Sequence, residues 1–295
     1  MKLGANATKV LEWATKDAAS SWMHGYWEYD WADSYRKLDK VVPVTQKGVK
    51  YINVSFTPDG SQGSPPPLQI VKNNARFYGV NLLSELDAKG EYFIDEIARL
   101  LYFLPPAPLA AAGGSDVVIS VNQSAAVVFL GKGTEHVQLV DLTIGYGQKQ
   151  GLQATGVDNV LIKNVTVYGL GTDGISLDGT NSAVVDSEVS NTGCGGVTAT
   201  GGVAAELVAG NITVRGNHIH HIATWKRTYQ PAIRFGGSGN TYADNNVGFA
   251  PHTCMTGGGV NLSFTGNTID TCCYESSDVG SFVSNFPRSC PSVRS

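Results

Sequence analysis

Apolar and polar positions along this chain fall into two regimes, one irregular and one repeating. From Leu139 to Ile269 a short pattern recurs six times: an apolar residue, any residue, a small or turn-forming residue, two more, then another apolar one. The copies are LVDLTI from Leu139, IKNVTV from Ile162, VVDSEV from Val184, VRGNHI from Val214, YADNNV from Tyr242 and FTGNTI from Phe264. Their starts lie 23, 22, 30, 28 and 22 residues apart. Short β-type runs broken by Gly, Asn or Asp at a period of twenty-odd residues predict a solenoid, each unit one coil stacked on the last.

A second strand starts 8 residues after the closing apolar residue in the first three coils: Ile144 to Leu152, Val167 to Ile175, Val189 to Val197. That interval grows to 14 in the fourth, Ile219 to Ile233, and returns to 8 in the fifth, Val247 to Met255. In the sixth it lengthens again around CCYESSDVGS. Inward residues of each coil must be buried against the coils on either side, so the pattern predicts an all-β fold, a parallel β-helix, right-handed by the default of parallel β connections. Asn217, Asn245 and Asn267 recur at one position in consecutive coils. Buried amides need partners, so these predict a structural stack rather than ligands.

Residues 1–112 lack the repeat and predict a β-rich N-terminal accessory region, leaving 113–295 as the β-helix domain. The first part holds an aromatic cluster (Trp22, Tyr26, Trp27, Tyr29, Trp31), a β-like run from Tyr51 to Phe56 and the breaker SQGSPPP at 61–67. EYFID and LLYFLP after Gly90 read as two strands joined by a short turn, and AAGGSD at 111–116 reads as a hinge.

Composition narrows the partners. Of 295 residues 35 are Gly and only 16% are charged, which suits strands and tight turns. A net charge of −4 lacks the basic footprint of a nucleic-acid or anionic-membrane binder. No run of about 18 apolar residues predicts a transmembrane helix. Lys2 is not followed by the apolar core of a signal peptide, so the compartment stays open. Cys194, Cys254, Cys272, Cys273 and Cys290 have no zinc spacing and are expected to be core thiols, at least one unpaired. Six N-x-S/T sequons occur, and the one at Asn164 falls at an expected interior or turn position.

Stacking turns connector spacing into a map of one surface. Asp173, Cys194, the His220–Pro231 insertion, the Pro251–His252 turn and the Tyr274–Asp278 loop share a side. Insertions in solenoids collect on the binding face, so the 30- and 28-residue intervals and the long last loop point to a site there. Its candidates are His220, His221, Trp225, Arg227, Tyr229, His252, Glu275 and Asp278. Carboxylates suit acid–base work, imidazoles hydrogen-bond hydroxyls, and flat aromatics stack on sugar rings. Trp225 and Tyr229 could equally pin a loop to the wall, His252 could be a surface turn residue, and Asp173 before Gly174 reads first as a turn former. Adjacent His220 and His221 diverge and do not predict a metal site by themselves.

HIHHIATWKRTYQPAIRFGG, NNVGFAPHTCMTGGGVNLSFTGNTI and CYESSDVGS, between Gly216 and Gly280, resemble right-handed parallel β-helix proteins of the glycoside hydrolase family 141 type. MHGYWEYDWAD at 23–33 and ELDAKGEYFIDEIARLLYFLPP at 85–106 look like the aromatic and "PGEW-LYY-P" segments that precede the helix in that group. The resemblance implies cleavage of glycosidic bonds in cell-wall or algal polysaccharides. Asp278 then matches the Asp of the family's "ETSDAGA" pattern and His252 its Pro-His turn. The family continues into further coils, whereas this chain stops 17 residues after Asp278 with no further Asp or Glu. The expectation is a truncated relative with a partner or cap at its last coil, its second carboxyl supplied by Glu275 or Asp173.

Three functions follow as expectations. The first is a glycoside hydrolase with Asp278 as acid or base, Glu275 and His252 beside it, and Trp225, Arg227, Tyr229, His221 and Asp173 binding a poly- or oligosaccharide. It needs no cofactor or metal, and such a substrate suits an extracellular setting. The second is a uronate lyase or epimerase using Lys226, Arg227 or Arg234, which calls for Ca²⁺ on a carboxylate cluster. The third is a non-catalytic glycan-binding or structural β-helix.

Overall fold

A computed structural model describes residues 10, 12–13, 20–63, 71–72, 75–107, 118–120 and 124–284. The hinge at 111–116, the boundary at 112/113, the sequons at Asn6 and Asn122, Cys290 and the C-terminal segment where a cap was expected lie outside them. The chain divides into two compact units, Met1–Val117 and Val118–Ser295.

The first unit is built on a four-stranded antiparallel sheet in the order Val49–Gly63, Ser34–Gln46, Trp22–Tyr26, Arg76–Val80. The SQGSPPP stretch does not break the chain at its start, since the strand runs on through Gly63. Trp27 is buried among Met23, Leu38 and Ile52, stacked on Phe77, and its indole N–H donates to the Ser34 carbonyl at 3.0 Å. Tyr92–Asp95 and Leu100–Phe103 pair antiparallel as the sequence predicts.

The second unit is a parallel β-helix. One sheet has seven strands, from Ala126–Leu130 to Phe282–Ser284, and the other two have six each. We call these sheets I, II and III in the order in which the chain visits them in each coil. The repeat maps directly onto them. Leu139, Ile162, Val184, Val214, Tyr242 and Phe264 form one register row in sheet II. Ile144, Val167, Val189, Ile219, Val247 and Ile269 form the matching row in sheet III. Leu152, Ile175, Val197, Ile233, Met255 and Phe282 form the row in sheet I. Most of these side chains are fully buried and make one continuous core.

The third residue of every copy makes the corner between sheets II and III. Asp141, Asn164, Asp186, Gly216, Asp244 and Gly266 all have φ between 52° and 69° or just below, at 51° for Asn164. Left-handed backbone is tolerated by Gly, Asn and Asp and penalised for other residues, so the turn chemistry fixes where each coil bends. Asn164 is thus an exposed corner residue rather than an interior one, and the described sequon residues Asn53, Asn211 and Asn261 are exposed as well.

Behind the corner the asparagine stack forms as expected. Asn217 Nδ2 donates to Asn245 Oδ1 at 2.9 Å, and Asn245 Nδ2 donates to Asn267 Oδ1 at 2.9 Å. Each amide also donates to a sheet II carbonyl, those of Val184, Val214 and Tyr242. Ser187 continues the row one coil earlier, its hydroxyl accepting from Val165 N at 3.1 Å.

The cysteines differ from the sequence expectation. Cys254 and Cys272 form a disulfide between consecutive coils, with Cα atoms 5.7 Å apart, while Cys194 and Cys273 remain thiols. Coil closure explains the difference: 18 residues is a little less than one turn, so the two residues meet as neighbours.

Candidate functional site

The connectors from sheet III to sheet I stack along one side, at the N-terminal ends of the sheet I strands. The one between His220 and Ile233 is the longest. Its backbone is tied to the coil below, with Trp225 and Lys226 N–H groups both donating to the Gly193 carbonyl at 2.9 Å. Arg227 Nη1 donates to the Ala223 carbonyl at 2.9 Å, and its Nε donates to Glu275 Oε2 at 2.8 Å. Nη2 reaches the same carboxylate oxygen, so Arg227 and Glu275 form an ion pair two connectors apart. Burial works to lower the Arg227 pKa, but the Glu275 and Tyr274 contacts overcome it and the net displacement is upward.

Tyr229 lies against His252, ring centroids 4.9 Å apart. His252 is not a surface turn residue: it is 4% exposed, with Tyr229 outside it. Burial, then the charge of Asp278, push the Tyr229 phenol upward. Asp278 itself is exposed and adopts φ 57° at the end of the last connector. Trp225, Tyr229, Phe249 and Tyr274 are 47%, 42%, 43% and 54% exposed, so the aromatics of these loops and of the adjoining sheet III end are partly open to solvent. His221 stacks on Phe249, with centroids 4.4 Å apart and planes inclined by 10°.

Asp173 is a cap between coils: its Oδ1 accepts from Gly195 N at 2.9 Å. Burial pushes its carboxyl pKa up, opposed by that hydrogen bond and by the charges of Arg234 and Lys226. Arg234, outward on sheet I, donates to the Tyr229 carbonyl at 2.7 Å. The structure therefore groups Arg227 with Glu275 and Tyr274, Tyr229 with His252 and Asp278, and Asp173 with Lys226 and Arg234. Asp173 and Asp278 precede sheet I strands four rungs apart, about 19 Å along the axis at the usual inter-strand spacing.

One sequence inference is corrected. The 30-residue interval from Val184 to Val214 owes its length to a hairpin, Gly202–Val203 with Val208–Ala209, in the turn from sheet I to sheet II. That turn lies at the opposite ends of the sheet I strands, so of the two long intervals only the 28-residue one enlarges the connector face, together with the last loop. The hairpin borders a separate cleft of about 410 Å³ lined by Glu135, Asp158, Asp178, Thr180 and Thr200 among others. Asp158 is committed there to hydrogen bonds from Thr180 and Asn181, which lower its pKa.

On the outer face of sheet III, Glu188 and His218 are register partners in adjacent strands, and His220 follows two residues on. Sequence reasoning passed over Glu188 and His218, although aligning VVDSEV with VRGNHI puts both at the fifth position. His220 Nε2 lies 3.2 Å from Glu188 Oε1, and its Nδ1 lies 2.7 Å from Nδ1 of His221. Burial chiefly lowers the His220 pKa, with Glu188 opposing and His218 and His221 reinforcing the shift.

A chain of stacked parallel coils with corner asparagines and loops gathered on one side is a β-solenoid by construction. Residues 129–286 match the family model described as the right handed beta helix region, and the chain belongs to that family. No curated protein sequence matches it significantly. A solved structure named "Glycoside hydrolase" is similar over 90% of this chain and 68% of its own, with TM-score 0.49 and 10% identity.

Proposed function

We propose that the protein acts on a polysaccharide held along its connector face. The observation that carries this reading is the set of exposed rings on that face, Trp225, Tyr229 and Tyr274, beside the Arg227–Glu275 pair and Asp278. Flat, amphipathic rings cover the apolar faces of sugars, while charged and amide groups between them bond the hydroxyls. The Cys254–Cys272 bridge suits an oxidising compartment, as polysaccharide work outside the cell requires.

The reaction is hydrolysis of a glycosidic bond, with Asp278 exchanging the proton and Glu275 as the second carboxylate, oriented by Arg227. Asp173 is not the second carboxylate in this reading, because its rung lies about 19 Å along the axis from that of Asp278, against the about 6.5–9.5 Å that two cooperating carboxyls span. It serves at the far end of the connector face, with Lys226 and Arg234. A second reading, binding without cleavage, is favoured by the same ion pair, since Arg227 occupies a Glu275 oxygen.

Turnover of fucosylated, xylan and algal glycans by wild type and Asp278→Asn separates the two. Hydrolysis predicts a loss of about 10²–10⁴-fold in Asp278→Asn with glycan affinity kept. Equal turnover by the two proteins would remove Asp278 from the chemistry, and affinity without product in wild type selects the binding reading. Trp225→Ala and Tyr229→Ala should each weaken glycan affinity about tenfold, ~1.4 kcal/mol. Unchanged affinity in both would move the glycan off this face.

A further inference from the structure

We propose that Glu188, His218 and His220 form a binding site for a divalent first-row transition metal, Zn²⁺ being the best fit, on the outer face of sheet III. One ligand atom from each residue lies within 4.8 Å of the other two. The positions follow from the fold. Residues 218 and 220 alternate outward around buried Ile219, and Glu188 is the register partner of His218 in the preceding coil. The two rings are 4.1 Å apart between centroids and inclined by 35°.

Two imidazoles and one carboxylate are the donor set of open three-ligand zinc sites, and ligand contraction to about 2.0–2.2 Å around an ion needs only small side-chain adjustments. Imidazole selects zinc, copper or nickel over calcium and magnesium, which take oxygen-rich sets. His221 supplies the outer support. Its Nδ1 lies 2.7 Å from Nδ1 of the His220 ring, whose Nε2 faces Glu188 Oε1 at 3.2 Å, so one nitrogen of His220 is held from behind while the other is aimed at the carboxylate. A ligating histidine bonded through its other nitrogen is the usual second layer of such sites. His221 is itself held by its stack on Phe249. An ion there cross-links neighbouring coils and stabilises the folded state by mass action. None of its three ligands belongs to the glycan reading, and the test below does not depend on that reading.

The test is calorimetric titration of untagged, chelator-treated, dialysed protein with ZnCl₂, with CaCl₂ as the contrasting ion and melting temperature as a second readout. The expected result is one equivalent of Zn²⁺ bound with a raised melting temperature, and no response to CaCl₂. His218→Ala and His220→Ala should each weaken binding at least 100-fold, and Glu188→Gln and His221→Ala about tenfold. His136→Ala, in the bend before the sheet II strand Gln138–Val140, should bind as wild type. Glu188→Gln keeps the shape of an exposed side chain and so reports on ligation even if a histidine variant folds poorly. No saturable binding, or binding that Glu188→Gln and the histidine variants leave unchanged, would overturn the site.

Discussion

Asp173 combines a capping role with an unfavourable charge. Burial raises its carboxyl pKa above the ordinary Asp range, so the folded chain holds the proton more tightly than the unfolded one. In the pH window between the unfolded and raised values the native state binds more protons, and stability falls as pH rises through it. Above the window the cost is fully present, and below it the cost vanishes. Asp173→Asn keeps an oxygen for Gly195 N–H and removes the charge. We expect it to melt higher than wild type at pH 7 and at the same temperature near pH 3, measured by scanning calorimetry; a variant that melts lower at pH 7 would show that the ionised carboxylate is net stabilising. Position 173 was visible in the sequence as an Asp-Gly turn, but its burial was not, because that depends on how neighbouring coils gather around it, among them the Gly195 backbone and the Lys226 and Arg234 side chains.

At the scale of the element, the corner between sheets II and III rests on left-handed residues outside and the amide stack within. Asn245 is the central member: it donates to Val214 O and Asn267 Oδ1 and accepts from the backbone and side-chain N–H groups of Asn217. Asn245→Ala strands those buried partners, at a cost of about 1–3 kcal/mol for each group left unsatisfied. We expect a total of about 3 kcal/mol, read as a shift in the urea midpoint, and a loss below about 1 kcal/mol would mean that the stack does not hold the corner. This element was legible almost in full. The period gives the rows, the third position gives the bend, and identical residues at identical positions give the stack. Connector lengths were legible only in part, because the apolar pattern marks sheets II and III and leaves the turn from I to II unmarked. The hairpin at 202–209 was therefore assigned to the wrong end.

For the whole helical unit, stability is close to a sum of coil and nearest-neighbour contributions, and its weakest coils open first. The Cys254–Cys272 bridge closes a loop of 18 residues between two late coils, next to Tyr274, Glu275 and Asp278. Such a loop contributes about 3 kcal/mol by restricting the unfolded chain. Reduction should lower the melting temperature by roughly 6–12 °C at about 2–4 °C per kcal/mol for a unit of this size. Cys254→Ser/Cys272→Ser should reproduce the reduced value; no difference between oxidised and reduced protein would mean the bridge is thermodynamically silent. Cys273 stands beside the bridge, and burial raises its thiol pKa, which keeps it a poor nucleophile for disulfide exchange at neutral pH. Pairing was hidden in the sequence because five cysteines admit many connectivities, and only coil geometry brings two of them together.

The interval from the sheet II row to the sheet III row is five residues in all six coils, 139 to 144 through 264 to 269, whereas from sheet III to sheet I it is 8, 8, 8, 14, 8 and 13. The first interval behaves as a gauge that admits no added length, and the second as a slot that accepts it without disturbing a single rung. Variable surface and fixed architecture are thereby written in separate parts of each coil, so a lineage of such chains can exchange one surface for another by splicing segments between fixed rungs, with no refolding of the wall that carries them.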